Sequence, residues 1–268
     1  MNQKNKVNVN HLKFVPKTLL ITLKAKYLSS CDPSISYKDP YIEQIYEQIE
    51  DPIQEAPLFF LFKRGIVSRT KGFDYLLKKE VKNRDTPPTI INLACGLDTR
   101  FQRLSEKLGP CQWYDCDLPE VIETRKKFFK ETDQQSMKEV NVLNPNWTDS
   151  FPELENPIIL MEGLSMYLEE GQVQAFFDIL SKKFSHYCLI LDFISPFFVK
   201  KEWVLPIMEQ FDVTFTWGAK DGNTFKKFDK DLKCEEELGL IDSFRNLGPL
   251  KKILGPLFNK KNMALLKK

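Results

Sequence analysis

At 268 residues, with 42% hydrophobic and 28% charged residues, the chain suits one large globular α/β domain with a cap. Lys and Arg number 39 against 37 Asp and Glu, a net charge of +2, which gives no reason to expect nucleic acid or an acidic membrane as the main partner. No apolar stretch is long enough to span a bilayer, and "TLLI" is too short for a signal-peptide core, so a cytoplasmic location is expected.

The first part reads as helices. "PKTLLITLKAKYL" places Leu20, Leu23 and Tyr27 at helical spacing, and "DPYIEQIYEQI" places Ile42, Ile45, Tyr46 and Ile49 on one face. "PLFFLFKRGIVSRTKGFDYLLKK" continues the helical pattern, weakened by Gly65 and Gly72. After Pro88 the rhythm changes. "TIINLA" is a short apolar run ending near Gly96, as a buried parallel strand would be, and "DTRFQRLSEKLG" follows as a helix closed by Gly109. "CQWYDCD" reads as a second strand. "DLPEVIETRKKFFKE" reads as a helix with Asp117 as N-cap and Glu120 at the capping-box position. "EVNV" is a weak third strand and "NPIILMEG" a strong fourth. The helix "EEGQVQAFFDILSKKF" leads to a fifth strand, "HYCLILDF". Strand and helix alternate from 89 to 193, which predicts a parallel, doubly wound sheet. "FDVTFTWG" alternates Phe211, Val213, Phe215 and Trp217 like a half-exposed strand, "KDGN" signals a turn, and "NMALL" suits a closing antiparallel strand.

The six cysteines, Cys31, Cys95, Cys111, Cys116, Cys188 and Cys234, form no C-x-x-C pair and read as reduced thiols. His11 and His186 are the only histidines, so a zinc site or a Ser-His-Asp triad has little to draw on and no metal is expected. The loop after the first strand places Ala94, Gly96 and Thr99 where a dinucleotide fingerprint needs three glycines. Asp98 would also set a negative charge where a pyrophosphate should bind. A nicotinamide oxidoreductase is thereby disfavoured. S-adenosylmethionine has no phosphate. Gly96 lets the backbone approach its methionine end, and Asp117, closing the second strand, stands where a carboxylate can bind ribose hydroxyls.

"INLACGLDTRFQRL", "WYDCDLPEVIETRKKFF" and "IILMEGLSMYLEEGQV" resemble the signature blocks of the leucine carboxyl methyltransferase superfamily. "TLLITLKAKYLSSCDPSISYKDPYIEQI" and "FTWGAKDGNTFKKF" are similar to its tetracenomycin-type polyketide O-methyltransferase branch, and the resemblance runs from about residue 17 to 267. Ala94 departs from the glycine usual there. The resemblance implies a Rossmann-like class I methyltransferase: a mostly parallel seven-stranded sheet, helices on both faces, an N-terminal helical cap over residues 1–86 and a core over 87–268.

It also implies a cofactor site for S-adenosylmethionine. Arg69 would bind the methionine carboxylate, assisted by Lys26 or Lys24. Gly96 would meet the ammonium through its carbonyl, and Asp117 would hold the ribose. Asn141 and Val142 would flank the adenine, Glu162 would face the methionine end, and Tyr167 would sit near the acceptor as the catalytic candidate. Each has a blander reading: Asp117 as helix cap, Arg69 on a helix surface, Glu162 ending a strand, Asn141 in a loop, Tyr167 in the core. The expected reaction is S-adenosylmethionine-dependent O-methylation of a small-molecule acceptor. A carboxylate is favoured because it needs no base and imidazole is scarce. The rivals are a protein C-terminal carboxyl methyltransferase and a non-catalytic cofactor-binding protein.

Overall fold

A computed structural model describes residues 6–9, 11–12, 14–50, 59–199, 213–239 and 261–268. One sheet holds β1 (Thr89–Leu93), β2 (Gln112–Asp117), β3 (Gln135–Glu139), β4 (Ile158–Met161), β5 (Cys188–Asp192), β6 (Lys233–Gly239) and β7 (Lys261–Lys267). Their spatial order is β3-β2-β1-β4-β5-β7-β6. The first five strands are parallel, and β7 runs antiparallel to both β5 and β6. β4 (IILM) and β5 (CLILD) are buried at every residue, which is why they read as continuous apolar runs rather than alternating ones.

Helices cover both faces. On one, α7 (Glu170–Lys183) packs Val173, Phe176, Phe177 and Leu180 against Ile91, Ile159 and Leu189. On the other, α4 (Phe59–Lys82) and α5 (Arg100–Leu108) pack Phe73, Leu76, Phe101 and Leu104 against Ile90, Leu160 and Ile190. Each such side chain taken out of water contributes about 1.5–3 kcal/mol. A third cluster lies over the loop after β1. There α2 (Leu19–Ser30) and α3 (Pro40–Gln48), which follow the short α1 (Phe14–Lys17), meet Cys95, Leu97 and the Val121–Ile122 face of α6 (Pro119–Arg125). Asp39 caps α3 by accepting from the Ile42 N–H at 3.1 Å and also accepts from the Thr99 hydroxyl at 2.6 Å, tying the helical layer to that loop.

Several expectations are corrected. The third strand is "QSMKE", upstream of "EVNV". Its register with β2 runs from Trp113↔Gln135 to Asp117↔Glu139, while Val140 and Val142 are buried in the turn beyond. Residues 213–217 form no strand. Val213 and Trp217 are buried within irregular chain, and Thr216 donates its N–H to Met166 O at 2.9 Å; Phe211 lies outside the described residues. "KDGN" opens a 3-10 helix over Gly222–Lys227, capped by Asp221. β6, "KCEEELG", carries no apolar pattern because it is an edge strand whose Glu236 and Glu237 meet Lys79 and Lys261. α6 stops at Arg125, short of the lysines that follow.

Candidate active site

β1 enters its loop through two left-handed residues, Ala94 and Gly96, both at φ +50°. Glycine accepts that conformation freely, whereas at Ala94 it costs about 1–2 kcal/mol. The Gly96 N–H donates to Asp117 Oδ2 at 2.7 Å, and the Leu118 N–H donates to Asp117 Oδ1 at 2.8 Å. Asp117 is therefore not the helix cap. Leu118 holds that position with no side-chain bond, because the carboxylate turns back to the loop instead of forward to the helix, and no Glu120 capping box forms. Each Asp117 oxygen has one backbone donor and retains a lone pair for a second. Burial pushes this carboxyl up to about 6, against the pull of the two N–H groups and of Arg125. The Gly96 carbonyl, expected to face an ammonium, accepts from Arg125 Nη1 at 3.1 Å.

A second group gathers at the ends of β4 and β5. Arg69 of α4 donates Nε to Glu162 Oε1 and Nη1 to Asp192 Oδ2, both at 3.1 Å. Glu162 Oε2 accepts from Arg100 Nη2 at 2.6 Å. Arg100 is fully buried and reaches Asp74 at 2.8 Å and Asp98 at 2.5 Å with its other nitrogens. Lys26 Nζ lies 3.9 Å from Asp98 Oδ1. A Cβ on Gly163 would stand 3.3 Å from Arg69 Nη2, and Gly163 has φ +77°, so glycine both makes the turn and admits the guanidinium. Burial raises the Glu162 carboxyl, but Lys26, Arg100 and Arg69 outweigh it and hold Glu162 well below the usual carboxylate range. Burial dominates at Asp192, which is raised despite Arg69 and the Gly163 N–H.

Tyr167 ends a 3-10 turn, with its ring 5.5 Å from that of Phe215 and its hydroxyl beside Thr18. Burial pushes this phenol up to about 12, so it stays protonated. The Val140 N–H donates to Asp117 O at 2.8 Å, which brings the turn carrying Asn141 and Val142 beside Asp117. Asn141 is exposed, its Oδ1 accepting from Leu143 N, and Val142 is buried. The structure thus joins Lys26, Arg69 and Glu162 through one ion cluster, and Gly96 to Asp117 by one bond. His11 meets Thr124 at 2.8 Å on α6, and His186 lies near Lys268 O by the amino end of β5. Arg100, Asp74, Asp115 and Arg125 escaped the sequence reading of the site. Arg100 stands inside "GLDTR", but nothing in the letters says that it is buried.

These groups collect at the carboxyl ends of β1, β2, β4 and β5, where an open parallel sheet leaves its crevice. A family model described as leucine carboxyl methyltransferase matches residues 25–181. The chain belongs to that family. It is an S-adenosylmethionine-dependent methyltransferase. It is 24% identical to the tetracenomycin polyketide synthesis O-methyltransferase of Streptomyces glaucescens, over 85% of this chain and 84% of that protein. It is 23% identical to an S-adenosyl-L-methionine-dependent methyltransferase of Gibberella zeae, over 87% of this chain and 84% of that one. Leucine carboxyl methyltransferase 1 of Rattus norvegicus is 32% identical over only 34% of this chain and 26% of its own. Among solved structures, magnesium protoporphyrin IX methyltransferase from Synechocystis with bound SAH superposes with a TM-score of 0.51 at 13% identity, covering 85% of this chain and 93% of that one. That likeness carries the class I methyltransferase fold. Among the described residues no helix is long and apolar enough to cross a membrane.

Proposed function

We propose that this methyltransferase transfers the methyl group to a carboxylate of a small-molecule acid, giving a methyl ester. The donor set suits the cofactor's chemistry. Its amino-acid end is a zwitterion, and Glu162 beside Arg69 and Lys26 offers both signs of charge within one cluster. Its ribose diol needs a carboxylate with a free lone pair on each oxygen, and Asp117 has that arrangement. Among the described residues the cluster interleaves Lys26, Arg69, Arg100 and Arg103 with Asp39, Asp74, Asp98, Glu162 and Asp192, a mixture of both signs that suits a zwitterionic ligand end. In this reading Arg69 and Lys26 hold the carboxylate end, Glu162 the ammonium, Asp117 the ribose, and Asn141 and Val142 the adenine, with Gly96 allowing close approach.

When bound, the cofactor would supply an electrophilic methyl on a sulfonium, whose carbon–sulfur bond breaks to leave a neutral thioether as the acceptor carboxylate takes the methyl. The chain's part is positioning and exclusion of water. Tyr167, kept protonated, donates to the acceptor carboxylate, and its ring with Phe215 forms an apolar wall.

The choice of a carboxylate rests on one observation. His11 is exposed and bonded to Thr124 of α6, His186 lies by the amino end of β5, and Asp117, Glu162 and Asp192 at the strand ends each already have a donor bound. Such a site positions an acceptor better than it removes a proton. The tetracenomycin relative matches over far more of the chain than the rat protein does, which favours a small-molecule acceptor over a protein C-terminus. The test is a screen of matched aromatic acids and phenols with the cofactor, followed by mild alkali. Released methanol marks an ester. An alkali-stable product, or transfer to phenols alone, overturns the proposal.

A further inference from the structure

Beneath the loop lies a fully buried arginine that the site as described does not use. Arg125, in the last turn of α6, sends Nη1 to two loop carbonyls, Gly96 O at 3.1 Å and Asp98 O at 2.8 Å. Its Nη2 donates to Asp115 Oδ2 at 2.7 Å, and its guanidinium lies 4.2 Å over the Phe129 ring. Asp115 is itself held by Asn92 and Trp113 at 2.9 Å and by Gln135 at 2.5 Å. Arg125 Nε is buried with no partner among the described residues. Burying an ion pair contributes little net stability, and an orphan N–H detracts from it. An apolar side chain would fill this part of the core. What the guanidinium alone supplies is a pair of donors under a loop that contains two left-handed residues. Strain of that kind persists only where the surroundings over-determine it.

We propose that Arg125 is a positioning residue for the cofactor, holding the Gly96 and Asp98 carbonyls so that the Gly96 N–H and Asp117 face the crevice together. The proposal rests on the reading of this loop as the cofactor's cradle. Arg125 acts on Asp117 in two ways: it fixes the N–H that the carboxylate accepts, and its charge pulls the Asp117 carboxyl down. The other groups facing Asp117 are the Leu118 N–H, Glu120 of α6, which pushes it up, and the buried thiols of Cys95 and Cys116. Glu139 is its register neighbour on β3.

Two variants test this. Arg125→Lys keeps the charge, but one ammonium cannot span Asp115 and both carbonyls. Arg125→Met combined with Asp115→Asn removes the pair together and strands no charge. Both are measured by calorimetry with S-adenosylmethionine and S-adenosylhomocysteine from about pH 5 to 8, and by acceptor KM at saturating cofactor. Affinity for both cofactor forms is expected to fall about tenfold or more in each variant, with acceptor KM unmoved. In the double variant alone, the pH below which cofactor binding weakens should move upward. A merely structural arginine would lower the melting temperature and leave cofactor affinity in place. Folded variants with wild-type cofactor affinity overturn the proposal. Wild-type protein that binds neither cofactor form refutes the cofactor reading of the loop, and this role with it. If neither variant folds, hydrogen exchange at the Arg125 guanidinium of wild-type protein decides: slowing on cofactor addition is expected, and no change overturns the proposal.

Discussion

Replacing Asp117 with asparagine separates a ribose-binding carboxylate from one that only ties the Gly96 loop to the end of β2. In the folded chain burial raises this carboxyl from 3.8 to about 6. A group raised in this way binds its proton more tightly folded than unfolded. Its contribution to stability is full below the ordinary carboxylate value and is lost as pH climbs through the folded value. The shift corresponds to at most about 3 kcal/mol, since each unit is worth about 1.4 and water reaches one edge of the group. Asparagine carries no such charge, but it gives up one acceptor for Gly96 or Leu118, a pH-independent cost of about 1–3 kcal/mol. The informative quantity is therefore the pH dependence of the stability difference. Without cofactor, wild type should lose stability relative to Asp117→Asn between about pH 4 and 6 and run parallel to it above. Any titration of Asp192 cancels in that difference. In the proposed reading ribose hydroxyls donate to the ionised carboxylate, so wild-type cofactor affinity should be flat above about pH 6 and weaken up to tenfold per unit below it. The variant should bind roughly ten- to a hundredfold more weakly at neutral pH, with that limb gone. Urea denaturation at several pH values and calorimetry provide the two data sets. A stability difference that does not change with pH, together with unaltered cofactor affinity in the variant, would refute the reasoning.

Arg69→Met leaves Glu162 and Asp192 facing each other without the guanidinium between them, and should weaken cofactor binding about ten- to a hundredfold. Unchanged affinity by calorimetry would leave Lys26 as the carboxylate's partner. Ala94→Gly relieves a left-handed alanine and should raise the melting temperature by about 2–4 °C, or about 1 kcal/mol. A lower value would show that the loop gains more from alanine's restricted unfolded state than it loses to strain.

The central strands were legible because burial on both faces writes them as unbroken apolar runs. β4 and β5 are the plainest, and α5 and α7 follow from helical spacing beside them. The edges were not. β3 and β6 satisfy half of their backbone and face water, so "QSMKE" and "KCEEELG" carry polar letters that pattern reading passes over. The alternation of Val213, Phe215 and Trp217 misled in the opposite sense, since irregular chain can also bury or half-bury alternate residues. In the site, Gly96 showed because it ends an apolar run and Asp117 because it closes the second strand, whereas Glu162 was singled out by the family resemblance. Arg69 is one of several basic residues on a 24-residue helix, and only the family resemblance singled it out. Arg100 and Arg125 were hidden for a physical reason. Periodicity reports which side of a helix a residue occupies, not how deep it lies, and a buried arginine is spelled like a solvated one.

β7 follows β6 in the chain yet lies between β5 and β6. During synthesis β6 therefore emerges without a strand neighbour, because among the described residues its ladder runs to β7 alone. The apolar outer edge of β5, Cys188–Asp192, stays bare for the same interval and is open to mispairing with other nascent chains. When β7 arrives it closes both gaps in one step. Met263 then pairs with Asp192 and packs against Gly72 of α4, one helical turn from Arg69. The carboxylate that backs Arg69 and the helix that carries it are thus locked together by the strand that leaves the ribosome after all the others in the sheet. A ribosome-bound chain halted before residue 261 would hold Arg69, Asp117, Glu162 and Asp192 and still lack the strand that braces Asp192 against the helix carrying Arg69.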